Sequence, residues 1–124
     1  MQALIVDDSR AMRTILGNII RSLGFDVTTA IHGKDALDQL VAGAKPELML
    51  VDWNMPEMNG YELVQSVRKL PAYSDTKIVM VTTETEMAQV AAALEAGANE
   101  YVMKPFTSEV IYEKLCLLGL AGGQ

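Results

Sequence analysis

The sequence predicts an α/β domain in which helices cover both faces of a parallel sheet. Apolar runs of strand length alternate with segments of helical periodicity five times along the 124 residues. This alternation is typical of parallel sheets with right-handed crossovers. The third run, 47–51, is almost continuously apolar, as expected for a strand that is buried on both faces. A chain of this length is expected to form one domain around one sheet.

The predicted strands cover residues 2–6, 25–29, 47–51, 77–82 and 99–103. Apolar residues spaced three and four apart place the helices between them. In the first helix these residues are Met12, Ile15, Leu16, Ile19, Ile20 and Leu23, and in the second they are Ala36, Leu37, Leu40 and Val41. In the third helix they are Leu63, Val64, Val67 and Leu70, and in the fourth they are Met87, Val90, Ala91 and Leu94. The last helix is predicted over 108–118. Ser9 is suited to cap the first helix, and Gly24, Gly43 and Gly97 are suited to end helices. Residues 53–60 are expected to form a loop.

Charge and composition argue against several classes of function. The net charge is −6 and no cluster of lysine and arginine is present, which disfavours nucleic-acid binding. No apolar run approaches the roughly 20 residues that cross a bilayer, and the N-terminus lacks the pattern of a signal peptide. A cytoplasmic location is therefore expected. Cys116 is the only cysteine, so we expect a buried thiol and no internal disulfide.

Polar residues stand at the ends of four predicted strands. Asp7 and Asp8 follow the first strand and Asp52 follows the third, while Thr82 and Lys104 lie at the ends of the fourth and fifth. Because parallel strands end at one edge of the sheet, three carboxylates, a hydroxyl and an amine are expected to converge there. Open α/β folds place their sites at this edge.

The expected acidic cluster suits metal-assisted phosphate chemistry. Two carboxylates about 4 Å apart repel by roughly 4 kcal/mol at an effective dielectric constant near 20, so a bound cation or a protonated acid is needed. Few oxygen ligands together with water and phosphate suit Mg²⁺. Beside that cation Asp52 can attack phosphorus and form an aspartyl phosphate, whose oxygens Thr82 and Lys104 can hold. The alternative is that Asp7 and Asp8 only cap the first helix.

These motifs together resemble the receiver domains of bacterial two-component response regulators, the chemotaxis members most closely. The resemblance extends over nearly the whole chain and rests on Val6-Asp7-Asp8-Ser9-Arg10, Asp52-Trp53-Asn54-Met55-Pro56, Gly60, Thr82-Thr83-Glu84 and Lys104-Pro105-Phe106-Thr107. It implies a single receiver domain over residues 1–124. The implied fold is the flavodoxin-like (βα)5 doubly wound parallel sheet with strand order 2-1-3-4-5.

The resemblance also implies a role for each residue of the input site. Asp52 would accept a phosphoryl group from a phosphohistidine of a sensor histidine kinase. Asp8, Asp52 and the backbone carbonyl of Asn54 would ligate Mg²⁺, and Asp7 would act mainly through a bound water. Asn54 and Glu84 would tune the rate of dephosphorylation.

Further roles concern the response to phosphorylation. Lys104 would contact the phosphoryl group, and its bond to Pro105 is expected to be cis, a minority state even before proline. Thr82 would move toward the phosphoryl oxygens, and Tyr101 would rotate inward behind it. The fourth helix, fifth strand and fifth helix would then bind a downstream effector protein.

The sequence predicts the downstream partner less narrowly than it predicts the phosphorylation chemistry. Residues 85–87, Thr-Glu-Met, stand where chemotaxis regulators commonly carry lysines, and Lys104 and Lys114 are the positive residues of the expected output face. This face would therefore attract an acidic peptide of the flagellar motor less strongly than the lysine-rich face of those regulators does. Two outputs therefore stay open: chemotaxis signalling, or a phosphorelay shuttle or phosphate sink without motor binding.

Two other classes of function fit the sequence poorly. A dedicated aspartyl-phosphate phosphatase commonly needs a second aspartate two residues after the nucleophile, where this chain has Asn54. A flavodoxin-like electron carrier would need a cradle rich in serine, threonine and glycine after the first strand, and the acidic 7–8 pair would repel its phosphate. The prediction is a phosphoacceptor that catalyses only its own phosphorylation and dephosphorylation.

Overall fold

A computed structural model describes residues 1–83 and 88–121 of the chain. These ranges contain five strands and five α-helices in strict alternation, and a short 3-10 helix, Pro71–Tyr73, precedes the fourth strand. The elements are β1 Gln2–Val6, α1 Arg10–Ser22, β2 Asp26–Ala30, α2 Gly33–Val41, β3 Leu48–Asp52, α3 Gly60–Arg68, β4 Lys77–Thr82, α4 Val90–Ala96, β5 Glu100–Met103 and α5 Ser108–Leu117. The predicted α/β class is confirmed. The predicted boundaries of β1 and β4 match these ranges, and those of β2, β3 and β5 differ from them by one residue.

The five strands form one parallel sheet in the order β2-β1-β3-β4-β5, as the resemblance implied. Val6 pairs with Val51, Asp52 with Val81, and Thr82 with Met103. The ends of β1, β3, β4 and β5 therefore meet at one edge of the sheet. This register brings the polar residues that follow the strands together, as the sequence predicted.

Local signals in the sequence fix where the helices begin. The Ser9 side chain accepts a hydrogen bond from the Met12 amide at the start of α1. At α3, Asn59 and Glu62 form a capping box in which each side chain accepts a hydrogen bond from the other's backbone amide. Such caps satisfy amides that have no partner inside the helix. Because these caps lie just after β1 and β3, they also fix the loops that carry the site.

The apolar residues form one cluster on each face of the sheet within the described ranges. Residues of α2, α3 and α4 pack on one face, and residues of α1 and α5 pack on the other. Every residue of β3 is buried, as its apolar sequence predicted. The sheet is therefore covered on both faces, and most of its exposed residues lie on the outer strands β2 and β5.

Some predicted core residues are exposed instead. Ile15 on α1, Val41 on α2 and Ala91 and Leu94 on α4 face solvent. Ile15 lies at the margin of a wide apolar stripe, and Val41 is the last residue of its helix. In α4 the predicted Val90 is buried, but the run of alanines gives no single apolar face, so periodicity missed the buried Ala93. Met87, assigned to the same stripe, lies outside the described residues.

The prediction of a buried Cys116 was wrong in degree, because this residue is only partly buried. Leu115 on the same helix occupies the fully buried position, 0 % exposed, and Cys116 lies beside it at the margin of the apolar face.

Two leucines of α5 give a matched test of this packing. Leu115 is 0 % exposed and Leu117 is 73 % exposed. We expect Leu115→Ala to lower the free energy of unfolding by about 2–5 kcal/mol, because it leaves a cavity. Leu117→Ala is expected to change it by less than about 0.5 kcal/mol. Urea unfolding monitored by circular dichroism measures both, and equal losses would contradict the assigned packing of α5.

Candidate functional site

Three carboxylates converge at the carboxyl edge of the sheet. Asp7 follows β1 and is 1 % exposed, Asp52 ends β3 and is 4 % exposed, and Asp8 is exposed to solvent. One carboxylate oxygen from each lies within 4.8 Å of those from the other two. The sequence-based prediction that these three residues share one pocket is therefore borne out in their placement.

Lys104, the residue that follows β5, contacts this cluster. Its Nζ donates a hydrogen bond to Oδ1 of Asp52 at 3.0 Å, and the two side chains form an ion pair. The Lys104 backbone amide donates to the carbonyl oxygen of Thr82 at 2.6 Å, which ties the end of β5 to the end of β4. The bond between Lys104 and Pro105 is cis, as the resemblance implied.

Asp7 is held by the first turn after β1. Its Oδ1 accepts a hydrogen bond from the Ser9 amide at 2.8 Å, and its backbone carbonyl accepts one from Nη1 of Arg13 at 2.8 Å. Its Oδ2 is buried and has no hydrogen-bond partner within residues 1–83 and 88–121. Sequence reasoning missed Arg13, although an arginine in the second turn of a helix that follows two aspartates was an available signal.

Burial governs the ionisation of the two inner carboxyls. It raises the pKa of Asp7 above its ordinary value, against the Ser9 amide and the charges of Lys104 and Arg13, which lower it. Burial likewise raises the pKa of Asp52, and the hydrogen bond from Lys104 opposes this while the charge of Asp7 adds to it. Keeping these two carboxyls ionised therefore lowers the free energy of unfolding.

A divalent cation fits this arrangement. The Oδ2 of Asp7, which has no hydrogen-bond partner among the described residues, lies in a group of three carboxylates whose oxygens are close enough to contact one ion. Such oxygen ligands suit Mg²⁺, and a bound cation would offset both the burial and the mutual repulsion that raise the two pKa values. The donor set therefore matches the metal that the sequence predicted.

The loop after β3 is positioned by a close approach of the backbone. A Cβ at Gly60 would lie 2.5 Å from the carbonyl oxygen of Asp52, so only glycine fits at this contact. The Gly60 amide donates to the carbonyl of Trp53 at 2.8 Å. Trp53 is buried beside the site, and Asn54 is exposed at its rim. Both residues therefore lie close enough to Asp52 for a chemical change there to alter their surroundings.

The residues assigned to switching lie on β4, which pairs with β3, and on β5, which pairs with β4. Thr82 is fully buried at the end of β4, and its hydroxyl donates to the carbonyl of Thr83 at 3.2 Å. Tyr101 on β5 is partly buried against the apolar cluster that includes α2, α3 and α4. Glu84, assigned to rate tuning, lies outside the described residues, as do residues 85–87.

The fold and site define a class of signalling domain, and sequence comparison places the chain in it. Residues 3–116 match the response regulator receiver domain family. The match covers most of the chain, so the chain belongs to this family. Its strand order is the one described for flavodoxin-like folds, the chemotaxis protein CheY among them.

Curated relatives and solved structures agree with this assignment. The chain is 48 % identical to a chemotaxis protein CheY homolog of Campylobacter jejuni, over 100 % of this chain and 97 % of the relative. It is 47 % identical to chemotaxis protein CheY1 of Helicobacter pylori, over 93 % and 94 % of the two chains. The structure of CheY4 of Vibrio cholerae matches with a TM-score of 0.87 at 33 % identity, over 94 % of this chain and 97 % of that one. No helix in the described ranges is long and apolar enough to cross a membrane.

Because Asp7 and Asp52 are buried acids, we expect the removal of one of their charges to stabilise the folded protein. Asp7→Asn keeps an oxygen for the Ser9 amide and removes one buried charge. We expect it to raise the free energy of unfolding of the metal-free protein at pH 7 by about 1–2 kcal/mol. Asp8→Asn, at an exposed position, should give a smaller gain because solvent screens its charge.

The pH dependence of this gain has a defined sign. The folded state holds a proton on Asp7 up to a higher pH than the unfolded state does, since burial raises its pKa. Stability contributed by this group therefore falls as pH rises from the unfolded pKa through the folded one. The advantage of Asp7→Asn should shrink on acidification, as followed by urea unfolding between pH 4 and pH 8. An advantage that grows toward low pH would contradict this account.

Proposed function

We propose that this receiver domain accepts a phosphoryl group on Asp52 from a phosphohistidine of a sensor histidine kinase. The observation that carries the proposal is the ion pair of a buried Asp52 with Lys104, 3.0 Å long, within a cluster of three carboxylates. An ionised carboxylate at the end of a rigid strand can act as a nucleophile toward phosphorus. In the transfer, a carboxylate oxygen of Asp52 forms the new P–O bond as the P–N bond of phosphohistidine breaks.

The side chains near Asp52 would have separate roles in the transfer. Lys104 favours the ionised form of Asp52 through its hydrogen bond and is placed to pair with a phosphoryl oxygen once Asp52 carries the acyl phosphate. Thr82, at the end of the adjacent strand, supplies a hydroxyl that can donate to another of these oxygens. We assign catalytic roles to Asp52, Thr82 and Lys104 because they would touch the reacting group. The domain would catalyse only its own phosphorylation and dephosphorylation.

We assign the metal site to Asp7, Asp8, Asp52 and the backbone carbonyl of Asn54. When bound, Mg²⁺ would neutralise charge on the phosphoryl oxygens of a loose, in-line transition state. The buried Oδ2 of Asp7, which has no partner within the described ranges, supports its place near the ion, directly or through water. Asp8, which is exposed, would close the solvent side of the site.

Phosphorylation would be read through Thr82 and Tyr101. A new phosphoryl group can bias two conformations only through contacts that differ between them. Thr82 would move toward the phosphoryl oxygens, and the Tyr101 ring would rotate inward behind it. Asn54 and Glu84 would tune the lifetime of the phosphoryl group.

The output would be binding of a downstream protein through α4, β5 and α5. Leu94 on α4 and Met103 on β5 are exposed large apolar residues of this face. The names of the Campylobacter and Helicobacter relatives favour chemotaxis as the process. The alternative is a phosphorelay shuttle or phosphate sink, which is favoured by the weak positive charge of the face. A cytoplasmic location follows from a partnership with the catalytic domains of sensor kinases.

The acceptor can be identified with the single tryptophan. Trp53 adjoins Asp52 and is the only tryptophan of the chain, so its fluorescence reports on the site. We expect acetyl phosphate, added with saturating Mg²⁺, to change the fluorescence of the wild-type protein. Asp52→Asn should abolish this response completely, since it removes the nucleophile.

The matched control for this experiment is Asp75→Asn. Asp75 is exposed and precedes β4 at the opposite end of the sheet, so its replacement removes the same charge far from the site. This variant should respond as the wild type does. A response to acetyl phosphate that persists in Asp52→Asn would exclude Asp52 as the acceptor.

A further inference from the structure

Lys114 of α5 lies against the ring of Tyr101. Its Nζ is 4.7 Å from the centroid of the ring, within the reach of a cation–π interaction. The same Nζ donates a hydrogen bond to Oε1 of Glu100 at 3.2 Å. The Tyr101 amide donates to that oxygen at 3.0 Å. One carboxylate oxygen thus joins the lysine to the backbone of the residue whose ring the lysine contacts.

This contact bridges the two faces of the sheet. Tyr101 packs against the apolar cluster of α2, α3 and α4, whereas α5 packs on the opposite face through Ile111 and Leu115. β5 is the outer strand and pairs only with β4 in the sheet order. The Lys114 side chain therefore passes over the open edge of β5 to reach a ring that belongs to the other layer.

Glu100 fixes the position of the lysine. The side chains of Lys114 and Glu100 are about three-quarters buried, 25 % and 22 % exposed. Solvent screens such a pair less than it screens a fully exposed one, and a cation held in place gains more from an aromatic face than a mobile one. A lysine without this partner would sample several rotamers and contact the ring only part of the time.

We propose that Lys114, oriented by Glu100, is a positioning residue that holds the Tyr101 ring in the place it occupies here and so opposes its inward rotation. The inference rests on the proposed switching role of Tyr101. A change of χ1 rotamer swings the ring through about 120° and separates it from the ammonium. The contact therefore stabilises the conformation that lacks the phosphoryl group and lowers the population that is ready to accept it.

The consequence is a change in apparent affinity for the phosphoryl group. A ligand that binds only the inward conformation binds more weakly in proportion to the fraction of protein that occupies it. Removing the contact raises that fraction. Lys114→Met keeps the length of the side chain and removes the cation, and Glu100→Gln removes the charge that orients the cation.

The test is a titration with beryllofluoride, a phosphoryl analogue, at saturating Mg²⁺, followed by Trp53 fluorescence. We expect Lys114→Met to bind the analogue about fivefold more tightly than the wild type, and Glu100→Gln to show a smaller gain of about twofold. Lys114→Arg retains a cation over the ring and should restore wild-type affinity. The NMR signals of the Tyr101 ring should shift toward the analogue-bound position in Lys114→Met before any analogue is added.

Matched controls separate this effect from a general change of charge. Lys69→Met and Glu113→Gln remove the same charges at exposed positions, just after α3 and on α5, and should leave the affinity unchanged. Equal affinity of Lys114→Met and Lys69→Met would overturn the proposal, and so would failure of Lys114→Arg to restore the wild-type value. If the proposed function itself were wrong, the wild-type protein would give no response to beryllofluoride, which is a different result.

Discussion

The burial of two carboxylates at one edge of a parallel sheet is the constraint on which the rest of the site depends. Asp7 and Asp52 lie at the ends of adjacent strands, and burial raises the pKa of each above its ordinary value. The ion pair with Lys104 offsets part of this cost, and the three carboxylates of the cluster outnumber that ammonium. The fold thus maintains an acidic pocket whose excess negative charge a bound cation would offset, as the proposed Mg²⁺-dependent phosphoryl transfer requires.

Sequence reasoning located this pocket because its determinants are local and periodic. Each apolar run defines a strand, and the polar residue after it must lie at the carboxyl edge once the strands are parallel. The positions of Asp7, Asp8, Asp52 and Lys104 in the sequence therefore predict their place in the pocket. The strand order itself came from the resemblance to receiver domains, since alternation of strands and helices alone allows several orders.

What the sequence could not predict depends on contacts between distant residues. The alanines of α4 have no unique apolar face, so packing against the sheet decides that Ala93 is buried and Leu94 exposed. The contact of Lys114 with Tyr101 joins residues 13 positions apart on different layers, and no periodicity encodes it. The hydrogen bond of Arg13 to the carbonyl of Asp7 likewise depends on how α1 leaves β1.

The central claim is that the acidic pocket is stabilised by a divalent cation held by these carboxylates. Urea unfolding of the wild-type protein at increasing Mg²⁺ tests it most directly, because a ligand that binds only the folded state raises the free energy of unfolding by RT ln(1 + [L]/Kd). We expect a steady rise for the wild type and for Asp75→Asn, and little or no rise for a variant in which Asp7 and Asp52 are both asparagine. An equal rise in that double variant, or no rise in the wild type, would contradict it.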